Sequence, residues 1–121
     1  MVSISEAESR VLEVLWRDGP STSDRIIAAL TQENWESSTI KTLLARLVRK
    51  HAIRARKDGR RYLYTPLLTR EQWVTYESEG LLGRLFGGRL APLVQHFSQH
   101  RRLSKADVAE LKRLIEELDD G

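Results

Sequence analysis

The chain contains no cysteine in its 121 residues. That absence excludes disulfides, thiolate metal sites and cysteine nucleophiles, and it suits a reducing compartment. Long apolar runs are missing too, since no stretch approaches the roughly 20 residues needed to span a bilayer. The opening MVSISEAESRV has no basic region followed by an apolar one, so no signal peptide is expected and the protein is read as cytoplasmic. No glycine-rich loop suited to phosphates follows a strand, and no serine sits in a nucleophile elbow. The carboxylates fall on expected helix exteriors and caps, so no catalytic residue is assigned and the chain is not read as an enzyme. Histidine is scarce as well: His51, His96 and His100 are all there are. His96 and His100 are four apart and could share a helix face as metal ligands, but only Asp107 and Glu110 follow as further ligand types. Ordinary polar surface is the favoured reading, and neither a metal nor a cofactor is assigned.

What is present reads as a folded domain. Hydrophobic residues make up 40% and charged residues 31%, a globular balance with slightly more charge than average. The length fits one domain, or one small domain with an appendage, of a size that often gains stability by oligomerising. The net charge is only +3, but it is unevenly placed. Residues 41–61 carry nine Lys and Arg against Asp58 alone, a net of +8, which leaves −5 for the rest. A basic patch on an otherwise acidic chain is the footprint of a polyanionic partner.

Helix signals open the chain. Ser5 and Glu8 have the spacing of a capping box, and Val11, Leu12, Val14, Leu15 and Trp16 form a broad apolar stripe. Asp18-Gly19-Pro20 ends that helix. A second helix is expected to start between Ser21 and Asp24, carrying Ile26, Ile27 and Leu30. A polar connection over 31–36 leads to a third, capped by Ser37, Ser38 or Thr39. Its Ile40, Leu43, Leu44, Leu47 and Val48 repeat as one helical face. Then Ile53 and Ala55 alternate with Arg54 and Arg56, and Asp58-Gly59 separates them from Tyr62, Leu63 and Tyr64. This predicts a hairpin with Asp58 and Gly59 as the central turn residues, both at positive φ; Pro66 closes it.

Beyond it Thr69 and Gln72 form a second capping box. One helix is expected through Trp73, Tyr76, Leu81, Leu82, Leu85 and Phe86, ending at Gly87-Gly88. A short one follows through Leu90, Leu93, Val94 and Phe97, with Pro92 in its first turn. A last one, capped by Ser104 and Asp107, carries Val108, Leu111, Ile115 and Leu118 as a narrow seam. The tryptophans, Trp16, Trp35 and Trp73, are read as packing residues rather than base-stacking platforms.

Three helices and a hairpin in this order predict a mainly α fold with a small β-hairpin, a winged helix-turn-helix over 1–68, followed by a helical dimerisation segment over 69–121. The third helix is then the recognition helix in the major groove of double-stranded operator DNA. Ser38, Thr39 and Thr42 suit phosphates or base edges, and Lys41 and Arg46 suit guanine acceptors or phosphates. Arg49 and Lys50 lie farther along and suit phosphates, as do Lys57, Arg60 and Arg61 on the hairpin. Homodimer contacts are expected from Trp73, Tyr76, Leu81, Leu85, Leu93, Phe97, Val108, Leu111, Ile115 and Leu118. The alternative is a winged-helix module for protein partners with little sequence-specific DNA binding.

EAESRVLEVLW, WESSTIKTLLARLVRK, the hairpin ending YLYTPL, GGRLAPLVQHF and LSKADVAELKRLIEEL together resemble the penicillinase and methicillin-resistance repressor family, which includes copper-responsive repressors. The resemblance covers nearly the whole chain and implies a winged helix with a helical dimerisation segment, repressing as a dimer on dyad-symmetric operators. In the antibiotic-responsive branch it also implies a membrane sensor protease as partner and inactivation by cleavage at an Asn-Phe bond. The matching positions here are His96 and Phe97, so the Phe is kept and the Asn is not. The copper branch's cysteine motif is absent.

Overall fold

A computed structural model of the chain describes residues 3–120. The elements run α1 (Glu6–Asp18), β1 (Ser21–Thr22), α2 (Ser23–Ala29), a 3-10 turn (Thr31–Glu33), α3 (Ser37–Arg49), β2 (Ile53–Asp58), β3 (Arg61–Pro66), α4 (Arg70–Leu85), α5 (Leu90–Gln99) and α6 (Lys105–Asp120). Among them no helix is long and apolar enough to cross a membrane.

Local chemistry accounts for most boundaries. The capping box that starts α1 is formed: the Ser5 hydroxyl accepts from the Glu8 amide and the Glu8 carboxylate accepts from the Ser5 amide. Gly19 ends α1 at φ 78, a value that L side chains rarely adopt. The boxes at Thr69–Gln72 and Ser104–Asp107 are formed as well. At the end of α3, His51 takes φ 60, its amide donates to the Val48 carbonyl and the Ala52 amide donates to that of Leu47. This is a Schellman stop with histidine in the place usually held by glycine.

Three details differ from the sequence expectation. Ser21–Thr22 pairs antiparallel with β3, with Ser21 opposite Tyr64, so the hairpin sits in a three-stranded sheet ordered β1-β3-β2. The α3 helix starts after Glu36, whose side chain makes no capping bond, so Ser37, Ser38 and Thr39 occupy its first turn rather than its cap. The hairpin register places Asp58 opposite Arg61, making Gly59 and Arg60 the central turn residues. Of these only Gly59 has positive φ, at 65, the pattern of a type II′ turn.

The chain forms two compact units, Met1–Tyr76 and Glu77–Gly121, rather than dividing at 68/69. The reason lies in the start of α4. The Trp73 indole packs against Trp16 with ring centroids 5.6 Å apart and ring planes tilted by 36°, and the Trp16 indole N–H donates to the Leu68 carbonyl. Trp73 therefore joins the core of the first unit, although it was expected among the dimer contacts. That core is built from Val11, Leu12 and Leu15 of α1, Ile26 of α2, Ile40, Leu44 and Leu47 of α3, and Ile53 of β2, all at most 1% exposed. In the second unit no residue is fully buried in α5 or α6.

Candidate nucleic-acid interface

The apolar spacing of α3 decides which of its side chains reach water. Ile40, Leu43, Leu44 and Leu47 anchor one face in the core. The opposite face presents Ser38, Thr39, Lys41, Thr42, Arg46 and Arg49, all exposed. The Thr42 hydroxyl donates to the Ser38 carbonyl at 2.9 Å, so its remaining capacity is to accept hydrogen bonds. Lysine and arginine beside it supply only donors, so this face offers both polarities to a base edge.

The hairpin continues the same charge. In the pleat, Arg54, Arg56 and Arg61 share one face, whereas Lys57 stands opposite Tyr62 on the other. All four cations are exposed, as is Arg60 in the turn, and Tyr62 is 53% exposed. Burial, helped by the neighbouring Tyr62, pushes the Tyr64 phenol up, so it stays neutral and adds no charge. Arg54 and Arg56 were not assigned a contact from sequence. Their alternation with Ile53 and Ala55 already marked them as the outward residues of a half-buried strand.

Among the described residues, none of Lys41, Arg46, Arg49, Arg54, Arg56, Lys57, Arg60 and Arg61 is in an ion pair. Eight cations without internal partners repel one another, and a polyanion relieves that repulsion without first breaking any ion pair.

Lys50 is the exception to the sequence assignment. Its ammonium lies 2.6 Å from Glu8 Oε1 and 2.9 Å from the Ser3 carbonyl. Glu8 is 1% exposed. Burial raises its carboxyl pKa, but hydrogen bonds from Lys50 and Ser5 and the Lys50 charge outweigh that and leave it below the usual value. Lys50 thus faces the core side of α3 and not the open face.

Apart from Trp73 and Tyr76, the residues expected at a dimer contact fall in the second unit. Val108, Leu111, Ile115 and Leu118 of α6 line, with Leu90 and Val94 of α5, an apolar groove of about 780 Å³ between the two helices; Leu93 and Phe97 line a separate one of about 310 Å³. Leu81, Leu85 and Phe97 are exposed, as are Ile115 at 57% and Leu118 at 79%. Tyr76 is 37% exposed and belongs to the first unit. The rings of His96 and His100 lie 4.5 Å apart, and His96 also meets Phe86 and Phe97.

The family model described as "Penicillinase repressor" matches residues 4–117. A penicillinase repressor of Bacillus licheniformis is 32% identical over 115 residues, covering 94% of this chain and 90% of its own. The methicillin resistance regulatory protein MecI of Staphylococcus aureus (strain N315) is 27% identical over 113 residues, covering 93% and 92%. Among solved structures, the monomeric form of Bacillus licheniformis BlaI in complex with the blaP half-operator aligns at TM-score 0.52 and 33% identity, over 59% of this chain and 88% of that one. The chain belongs to the penicillinase repressor family, a family of DNA-binding transcriptional repressors and not of enzymes.

Proposed function

We propose that the chain represses transcription in the cytoplasm as a homodimer on a dyad-symmetric operator, each protomer laying α3 into the major groove of one half-site. The hairpin then runs along the adjacent backbone. The observation that carries this reading is the set of exposed cations on α3, β2 and β3 that are in no ion pair among the described residues, with the hydroxyls of Ser38, Thr39 and Thr42 on the exposed face of α3. It is supported by the relative solved on a half-operator, which is 33% identical and covers 59% of this chain. Half-sites on one face of the duplex lie about 34–36 Å apart for one helical turn. The exposed apolar groove of the second unit is the surface that a second copy would cover.

Relief by proteolysis, through a membrane sensor protease, is the finer part of the proposal. Phe97 is 40% exposed, but the His96–Phe97 bond lies inside α5. The His96 carbonyl accepts from the His100 amide and the Phe97 carbonyl from the Arg102 amide. Cleavage therefore requires the last turn of α5 to open first. A fragment beginning at Phe97, found by mass spectrometry in derepressed cells, supports this route; an intact chain under derepression removes it.

The central test is fluorescence-anisotropy titration of the DNA upstream of the chain's own gene against scrambled DNA of equal length, over a salt series. A preference for the native fragment that survives rising salt is expected. Equal affinities that fade together with salt defeat sequence-specific repression at this site. Binding to neither DNA leaves the protein-interaction module as the better account.

A further inference from the structure

The Glu8–Lys50 pair ties together three pieces of the first unit. Lys50 is the C-cap residue of α3, the helix that carries the candidate base-reading face. Glu8 belongs to the first turn of α1 and caps that helix through Ser5. Oε1 of Glu8 accepts from both the Ser5 amide and the Lys50 ammonium, and the same ammonium reaches back to the Ser3 carbonyl. The other oxygen, Oε2, is buried and has no hydrogen-bond partner among the described residues. A buried carboxylate with one oxygen orphaned tolerates little change in its remaining contacts, because removing the ammonium leaves an uncompensated charge. Its geometry is therefore held firmly.

From this arrangement we infer that Lys50 is a positioning residue, clamped by Glu8, that fixes the C-terminal end of α3 and so the angle at which α3 meets DNA. The inference rests on the DNA-binding reading above. It differs from the reading of a lysine at the end of a recognition helix as one more phosphate contact. Such a lysine is solvated and free, whereas the Lys50 side chain is only 30% exposed and ends on a carboxylate. Arg49, next to it, is exposed and unpaired and remains the natural phosphate contact at this end of the helix. The Schellman stop at His51 and Ala52 follows directly, so a shift of Lys50 displaces the point where α3 hands over to β2.

Two chemical consequences separate a clamp from a contact. A phosphate contact releases counterions, so its loss lowers the salt slope of binding by about 0.9 per contact and weakens all DNA alike. A clamp touches no phosphate, so its loss leaves the slope unchanged and weakens base reading. The clamp also requires Glu8, which lies on another helix.

The test uses the full chain and four variants: Lys50→Met, Glu8→Gln, the double variant, and Arg49→Met as the phosphate-contact control. Binding to the native upstream fragment and to scrambled DNA is titrated over a salt series, after thermal melts have fixed a temperature at which every variant is folded. Lys50→Met is expected to lower the ratio of specific to scrambled affinity roughly tenfold, and the double variant to lose less than the product of the single losses. The slope should match the parent chain in Lys50→Met and fall in Arg49→Met. A Lys50→Met slope that falls like that of Arg49→Met, or losses that multiply independently, overturns the clamp. If the parent chain itself prefers no sequence, the DNA-binding reading has failed, and the clamp falls with it as a device for base reading.

Discussion

Lys57 offers the cleanest probe of the hairpin. It is exposed, stands opposite Tyr62 in the β2–β3 ladder and is in no ion pair among the described residues. Replacing it with Met keeps most of the stem and removes one charge, and nothing inside the protein is left unpaired. If it meets a phosphate, the slope of log affinity against log salt falls by about 0.9 per protomer, or about 1.8 per dimer. Between 50 and 200 mM salt, a fourfold rise, the advantage of the parent chain over Lys57→Met should therefore shrink by about 12-fold for the dimer. The change should be equal on operator and scrambled DNA, because a phosphate contact carries no sequence information. Anisotropy titrations at three or four salt concentrations measure both slopes. A loss confined to the operator would mean that Lys57 reads bases; unchanged slopes on both DNAs would mean that the hairpin does not follow the backbone, and the reasoning from unpaired charge would be refuted.

Other outcomes follow from the same structure. Arg46→Ala should lower operator affinity more than scrambled-DNA affinity, about 1–3 kcal/mol of discrimination if it meets a guanine; equal losses in the same titrations would demote it to a phosphate contact. The Glu8 carboxyl is depressed in the fold, so its contribution is complete above its unfolded value of about 4.3 and is lost as pH falls through the lower folded value. Thermal melts from neutral pH down to about 3 should therefore fall less steeply for Glu8→Gln than for the parent chain, and parallel curves would count against this. Gly59→Ala at φ 65 should cost roughly 1–2 kcal/mol in a chemical melt, with Gly59→Asn milder; an unchanged midpoint would show that the turn relaxes. Ile115→Asp should weaken self-association in sedimentation while leaving the melt of the first unit intact, and an unaltered association constant would move the dimer face elsewhere.

Much of the fold was legible because its signals are local. Capping boxes, a helix stop at Gly19 and the face formed by Ile40, Leu43, Leu44 and Leu47 need only neighbours in the chain, and they appear where their spacing puts them. The parts that were not legible depend on distant partners. β1 is two residues whose strand character comes wholly from Tyr64 and Leu63 across the sheet. Trp73 sits on a helix assigned to the other segment, but a neighbouring indole, Trp16, and not its own helix, decides where it packs. Lys50 continues a run of basic residues and carries no local mark of burial; only a carboxylate 42 positions earlier redirects it. The turn register failed for a smaller reason. Asp-Gly fits a central pair of type I′, but Gly59 at the first central position of type II′ satisfies the same sequence with one positive φ.

The two units make most sense as factors in one affinity. A basic face bound to DNA by phosphates alone holds with dissociation constants of about 10⁻⁴–10⁻⁶ M at physiological salt. Eight unpaired cations and a few hydroxyls on one protomer place a half-site contact near that range, too weak to hold a promoter at cellular concentrations. Joining two such contacts changes the arithmetic. With each half-site near about 10⁻⁵ M and an effective concentration near about 10⁻³ M for the second, the pair reaches about 10⁻⁷ M without any new contact to DNA. On the proposed reading, this is why α6 leaves Ile115 and Leu118 exposed in the single chain although a small domain gains by burying such residues. It follows that Ile115→Asp, which touches no nucleic acid, should lower operator affinity about 100-fold while leaving half-site affinity unchanged. Arg46→Ala should do the reverse in proportion, weakening the half-site and the operator together. A dimer-face variant that bound the full operator as well as the parent chain would mean that one protomer suffices, and the exposed apolar groove would then need a different occupant.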